Sequence, residues 1–173
     1  LLPSHVEILS LSDIGCNEDL PETSDTIEGN ASQKSEYIYS KYGFSCFSDD
    51  TGLEIDALDG KPGVYSARYA GVSCSAINNI KKVLMELEGI SNKSARFRTV
   101  ISLILGNKEF LFEGECKGLI SNDPIGDNGF GYDPIFIPNG YNRTFAEMNM
   151  IEKSKISHRG KAVRSLLEFL NNL

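Results

Sequence analysis

The sequence predicts one domain of the α/β or α+β class, three helices packed on strands of which several pair antiparallel. Three observations lead there. Apolar residues recur at helical spacing in separate stretches of the chain. Between them lie short β-rich runs, two of which meet at Gly106-Asn107, a hairpin signal. The chain has 173 residues, enough to bury a real core, with no repeat, no low-complexity tract and no linker that would divide it.

The elements follow in order. Val6 to Leu11 reads as a strand, and the polar residues 12–25, with Gly15 and Pro21, as a loop. A helix is expected from Thr26 to Tyr42, closed by Gly43. Phe44 to Ser48 reads as a short aromatic-rich strand, and the alternation of Leu53, Ile55 and Ala57 as a second, returning strand. Residues 62–71 look irregular. Ile77, Ile80, Leu84 and Leu87 define a helix over 75–87 that stops at Gly89. Phe97 to Leu105 and Glu109 to Cys116 are the hairpin strands. A glycine-rich loop covers 118–132, and a short strand covers 134–137. The last helix, 157–170, turns Ala162, Val163, Leu166, Leu167 and Leu170 to a core.

Charge narrows the function. Asp and Glu number 24 against 17 Lys and Arg, a net charge of −7. Residues 1–30 hold seven acids and no Lys or Arg, and the rest of the chain balances. An acidic chain lacks the basic footprint of a nucleic-acid binder, so no polymer partner is expected. No apolar run reaches the roughly 18 residues of a membrane span. Leu1 to His5 show neither the basic start nor the apolar stretch of a signal peptide. Cys16, Cys46, Cys74 and Cys116 are far apart, which favours reduced thiols in the cytoplasm over disulfides or zinc. With two histidines, any metal would rest on carboxylates, hence a hard cation such as Mg²⁺.

Four constellations carry possible chemistry. Ser48-Asp49-Asp50-Thr51-Gly52 follows an apolar run. It reads either as a turn or as a carboxylate poised to bind metal or activate water. Asp50-Thr51-Gly52 also spells the aspartic-protease tripeptide, but in one copy only, so a dimer would have to supply the second carboxylate. Glu22 and Glu28 sit in an acidic stretch before the first helix. Glu22 beside Asp50 would complete a two-carboxylate Mg²⁺ site. In Gly126 to Pro134, glycines flank Phe130, which either stacks on a flat ligand ring or tucks into the core. From Lys153 to Leu167 there are five Lys or Arg and no acid. Ser157 is the expected N-cap, which puts His158 and Arg159 at the helix start. Cations are disfavoured there, by about 0.3–1 kcal/mol. A local rule broken in this way often marks a functional site.

Taken together, these segments resemble the inosine triphosphate pyrophosphatase family, also called Ham1-like. The matching stretches are Glu22-Thr23…Asn30-Ala31, Ser48 to Leu53, Gly60 to Gly71, Ala95-Arg96-Phe97, Gly129 to Phe136, and Glu152 to Ala162. They occur in family order and cover nearly the whole chain. The resemblance implies an α/β fold with a mixed twisted sheet and flanking helices, in two lobes around a central substrate cleft, as a homodimer. It implies hydrolysis of ITP, dITP and XTP to the monophosphate and pyrophosphate. Carried over by position, Glu22 and Asp50 would hold Mg²⁺, and Asp50 would also accept the proton. Thr51 would touch substrate. Phe130 would stack on the base, with Gly131, Tyr132 and Asp133 around it. Lys153 would contact substrate, while Ser157, His158 and Arg159 would read the base oxygens. Two positions depart from the pattern: Gly29 stands where an acid is common, and Thr51 keeps the hydroxyl of the usual Ser. The family's opening strand and Ser/Thr-x-Asn-x-x-Lys phosphate loop have no counterpart before Val6. The expectation is therefore an ITPase-like domain over 1–173 without them. A nucleotide-binding protein with little turnover is the second reading.

Overall fold

The computed structural model describes residues 2, 3 and 6–173. The elements are α1 (Ile27–Tyr42), β1 (Cys46–Ile55), β2 (Pro62–Gly63), α2 (Ala76–Glu86), β3 (Ser94–Leu105), β4 (Lys108–Ile120), β5 (Phe136–Pro138), α3 (Met150–Ile156) and α4 (His158–Leu170). The strands form one sheet in the order β2-β1-β3-β4-β5. The expected α/β architecture, a sheet with flanking helices, is present. Every pairing among the described residues is antiparallel.

Local chemistry explains the helix ends. Thr26 caps α1 by accepting from the Gly29 N–H at 3.0 Å. Gly43 closes the helix in the left-handed region, at φ 73°. Ser75 and Ser157 cap α2 and α4. The β3–β4 turn holds Gly106 and Asn107 at φ 55° and 65°, the pair of positive values that a two-residue hairpin requires.

The sheet is the middle of three layers. Strand alternation sends Val100 and Ser102 of β3 toward α1, where Val100 packs with Ile27 and Ala31. Ile101 and Leu103 point the other way, against Ala162 and Leu166 of α4. On this α4 side the largest apolar cluster gathers Leu53, Ile55, Phe97, Ile135, Phe136, Phe145 and the inner face of α2. Gly114 of β4 allows α4 to sit this close. A Cβ there would collide with the His158 carbonyl oxygen and the Ala162 nitrogen.

Several expectations need correction. Val6 to Leu11 is not a strand: residues 6–10 belong to no regular element and Leu11 begins a turn. None of the described strands pairs with it, and Ile8, Leu9 and Leu11 are exposed. Alternation without a partner edge does not make a strand. The two strands expected at 44–48 and 53–57 are one continuous β1 that runs through Asp49 to Gly52. That tetrapeptide is therefore no turn. β4 continues through Gly118 to Ile120, so the glycine-rich loop starts later than expected. The helix α3 was hidden because Met150 and Ile151 are exposed and give it no apolar periodicity. No helix among the described residues is long and apolar enough to cross a membrane.

Candidate active site

A cavity of about 450 Å³ is lined by Glu22, Lys34, Asp49, Asp50, Thr51, Phe97, Phe130 to Asp133, His158 and Arg159, with Ser66, Cys74 and Asn79 on the far wall. Its size suits a ligand of nucleotide dimensions. The cavity reaches both faces of the sheet for a simple reason. β2 pairs with β1 only at Leu53 and Glu54, so among the described residues no strand pairs with the β1 edge from Cys46 to Gly52. Asp50, opposite Val100, points to the α1 side, while Asp49 and Thr51, opposite Ile101 and Thr99, point to the α4 side. The two neighbouring carboxylates thus serve different ends of one cavity.

The acidic end is assembled on α1. Lys34 and Asn30, one turn apart, both point inward and are buried. The Lys34 ammonium donates to Glu22 Oε1 at 2.6 Å and reaches Asp50 Oδ1 at 3.4 Å. Asn30 Nδ2 donates to Asp50 Oδ2 at 3.3 Å. Asn30 Oδ1 accepts from the Ser24 N–H at 2.9 Å, which pins the loop carrying Glu22 to the helix. Burial pushes the Asp50 carboxyl above its ordinary value, against the opposing pull of Lys34 and Asn30. Glu28 is not part of this end; it pairs with Arg98.

The other end is aromatic and cationic. Phe130 is 65% exposed, so its ring stands out of the core and into the cavity wall. Its N–H donates to Asp133 Oδ2 at 2.7 Å, and the buried Asp133 also receives the Lys153 ammonium at 2.5 Å. Tyr132 is the aromatic of this loop that is buried, and its hydroxyl donates to the Ser66 carbonyl at 2.9 Å. His158 stacks on Phe97, with ring centroids 4.5 Å apart and planes 18° apart. Burial, aided by Arg159, Lys153 and Lys161, lowers its pKa to about 3, so the imidazole is neutral. Its Nδ1 is buried with no hydrogen-bond partner. On a cavity wall, such an atom is placed to bond a ligand group or a water.

Of the sequence-predicted site residues, the fold gathers Glu22, Asp50, Thr51, Phe130, Gly131, Tyr132, Asp133, His158 and Arg159 around the cavity. Lys153 and Ser157 are not on its lining. The Lys153 ammonium lies over the Phe130 ring, 5.0 Å from its centroid, and Ser157 is a buried cap that accepts from the Gly160 N–H. Sequence reasoning missed Asn30, Lys34, Asn79 and Phe97. Lys34 left a signal: it falls on the same helical face as Ile27, Ala31 and Ile38, where a lysine is out of place.

The fold and cavity define a class: an α/β protein whose one cavity carries an aromatic, cationic wall at one end and a carboxylate pair at the other. The Ham1 family model matches residues 1–169. A dITP/XTP pyrophosphatase of Flavobacterium psychrophilum is 55% identical over 99% of this chain and 90% of its own length. Another, of Porphyromonas gingivalis, is 50% identical over 98% and 88%. The solved Ham1 protein of Staphylococcus aureus superposes with a TM-score of 0.92 at 38% identity, over 96% of this chain and 87% of that one. The chain belongs to the Ham1 family.

Proposed function

We propose that this chain hydrolyses non-standard purine nucleoside triphosphates, ITP, dITP and XTP, to the nucleoside monophosphate and pyrophosphate. The observation that carries the reading is a single cavity with a carboxylate pair at one end and a ring-stacking, hydrogen-bonding wall at the other. The name of its relatives, dITP/XTP pyrophosphatase, supports the substrate class.

Each residue has a task in this reading. Phe130, exposed on its loop, stacks on the purine. Neutral His158 and the Arg159 guanidinium offer hydrogen bonds to the base edge. Hypoxanthine and xanthine carry an oxygen where adenine carries an amine, so adenine would leave these donors unpaired. Asp50 accepts the proton of the attacking water as the water oxygen bonds to phosphorus and pyrophosphate leaves. Its raised pKa suits a proton acceptor better than that of an ordinary aspartate. Glu22 and Asp50 fit Mg²⁺: both are oxygen donors, they converge on one cation already, and the buried Asp50 gains from a counter-charge. When bound there, the metal supplies neutralisation of phosphate charge. Lys34 keeps the pair together. Action as a homodimer, in the cytoplasm, on nucleotides rather than polymers or membranes, completes the proposal.

Release of pyrophosphate from ITP, GTP and ATP with Mg²⁺ tests it. ITP turns over far faster than ATP, and Asp50→Asn abolishes release. Equal rates on all three nucleotides, or tight ITP binding with no pyrophosphate formed, overturn the reading.

A further inference from the structure

Asp49, the carboxylate beside Asp50, has no part in the proposed reaction. Its Oδ2 accepts from Arg159 Nε at 3.2 Å and from Arg159 Nη2 at 2.8 Å. The same Nη2 reaches Thr51 Oγ1 at 3.3 Å. Thr51 Oγ1 is in turn 2.7 Å from Thr99 Oγ1, which is fully buried in the centre of the sheet. On its other side the guanidinium lies against Phe130, 5.6 Å from the ring centroid. Two edges of the Arg159 fork are thus committed to β1, and a third surface to Phe130. The Nη1 hydrogens have no partner among the described residues and remain for a ligand on the cavity wall.

This arrangement also accounts for a cation in the first turn of α4, where the helix end is partly positive. Asp49 supplies the compensating charge from a different element. Both side chains are about 40% exposed, 41% for Arg159 and 39% for Asp49. An ion pair so exposed contributes little to stability. Its value lies in orientation, since a guanidinium fixed before binding loses less freedom when the base arrives.

We propose that Asp49 is a positioning residue for base selectivity: with Thr51 it holds the Arg159 fork in the orientation that reads the purine edge. The inference rests on the proposed role of Arg159, and the test separates the two. Steady-state kinetics on ITP and ATP are measured for the wild type, Asp49→Asn, Asp49→Glu, Arg159→Ala and the double variant Asp49→Asn/Arg159→Ala, with thermal melts of each. Asp49→Asn raises KM for ITP roughly tenfold, the loss expected when the acceptor keeps its oxygen but loses the charge that strengthens the bond and turns an NH₂ toward the guanidinium. kcat and the melting temperature stay close to wild type, and the ITP-over-ATP preference falls. Asp49→Glu regains part of it, and in the Arg159→Ala background Asp49→Asn adds nothing. A wild type without ITP preference overturns the base-reading role of Arg159, and this inference with it. A selective wild type with an equally selective Asp49→Asn variant overturns the inference alone, as does a lowered KM or a fully additive double variant. A fall in melting temperature that accounts for the lost activity shows a merely structural tie and overturns it too.

Discussion

At the scale of single residues, His158 is the most constrained group of the site. Stacked on Phe97 and buried, it titrates near 3, whereas an unfolded histidine titrates near 6.5. Between those values the unfolded chain binds the extra proton and the folded chain does not. Stability from this residue is therefore fully present above pH 6.5 and lost as pH falls toward 3, by up to about 1.4 kcal/mol per pH unit. Chemical denaturation at pH 7, 6, 5 and 4 should show the wild type losing stability faster than His158→Gln. For the same reason the pH–rate profile should carry no inflection near 6.5 from this imidazole. Phe130 makes a different demand. Being 65% exposed, it contributes little to the core, so Phe130→Ala should leave the melting temperature within a few degrees. KM for ITP should rise by roughly tenfold, the worth of one base–aromatic stack.

At the scale of elements, α1 and α4 approach the sheet from opposite sides and each delivers one end of the cavity. Lys34 on α1 is the pivot of its end, with its side chain 11% exposed between Glu22 and Asp50. Lys34→Met leaves those carboxylates facing each other without a cation, a loss that the 39% exposure of Glu22 screens to about 1–3 kcal/mol. If Mg²⁺ occupies the pair, the deficit should shrink on adding it, read as a larger Mg²⁺-dependent rise in melting temperature for the variant than for the wild type. For α4 the decisive residue is on a neighbour. Gly114→Ala should push the helix start off the sheet, costing about 1–3 kcal/mol in urea unfolding and lowering activity as His158 shifts. The helices with capping residues and apolar stripes were legible in the sequence: Thr26 with Gly43, and Ser157 with Ala162 and Leu166. α3 was not, because a helix with an exposed apolar face has no periodicity to read.

At the scale of the whole molecule, what could be read depended on whether a property belongs to a segment or to a pairing. The Gly106-Asn107 hairpin is local and was visible. The strand at Val6 to Leu11 was misread because a strand exists only with a neighbour. β1 was split in two because Asp49 to Gly52 has the composition of a turn. Its pairing with β3 over the full length from Cys46 to Ile55 overrides that preference. Half of the cavity residues were named through the family resemblance, but Lys34, Asn79 and Phe97, and Asn30 behind them, came together only through folding. Asn79 illustrates why. It is an ordinary helix residue in sequence, yet its amide holds the Ser66, Ala67 and Ala70 backbone as the far wall of the cavity.

The open edge of β1 has one more consequence. Because strand residues alternate sides, Asp49 and Asp50 act as two separate instruments only while the pairing with β3 keeps its register. Deleting one residue between Cys46 and Ser48 would let the strand slide by one step. Asp50 would then take the α4-facing place of Asp49, and Asp49 the α1-facing place of Ser48 beside the Ala31 carbonyl. A change of length in this short segment would therefore disturb both ends of the cavity at once, whereas a change of side chain at exposed Phe47 would disturb neither.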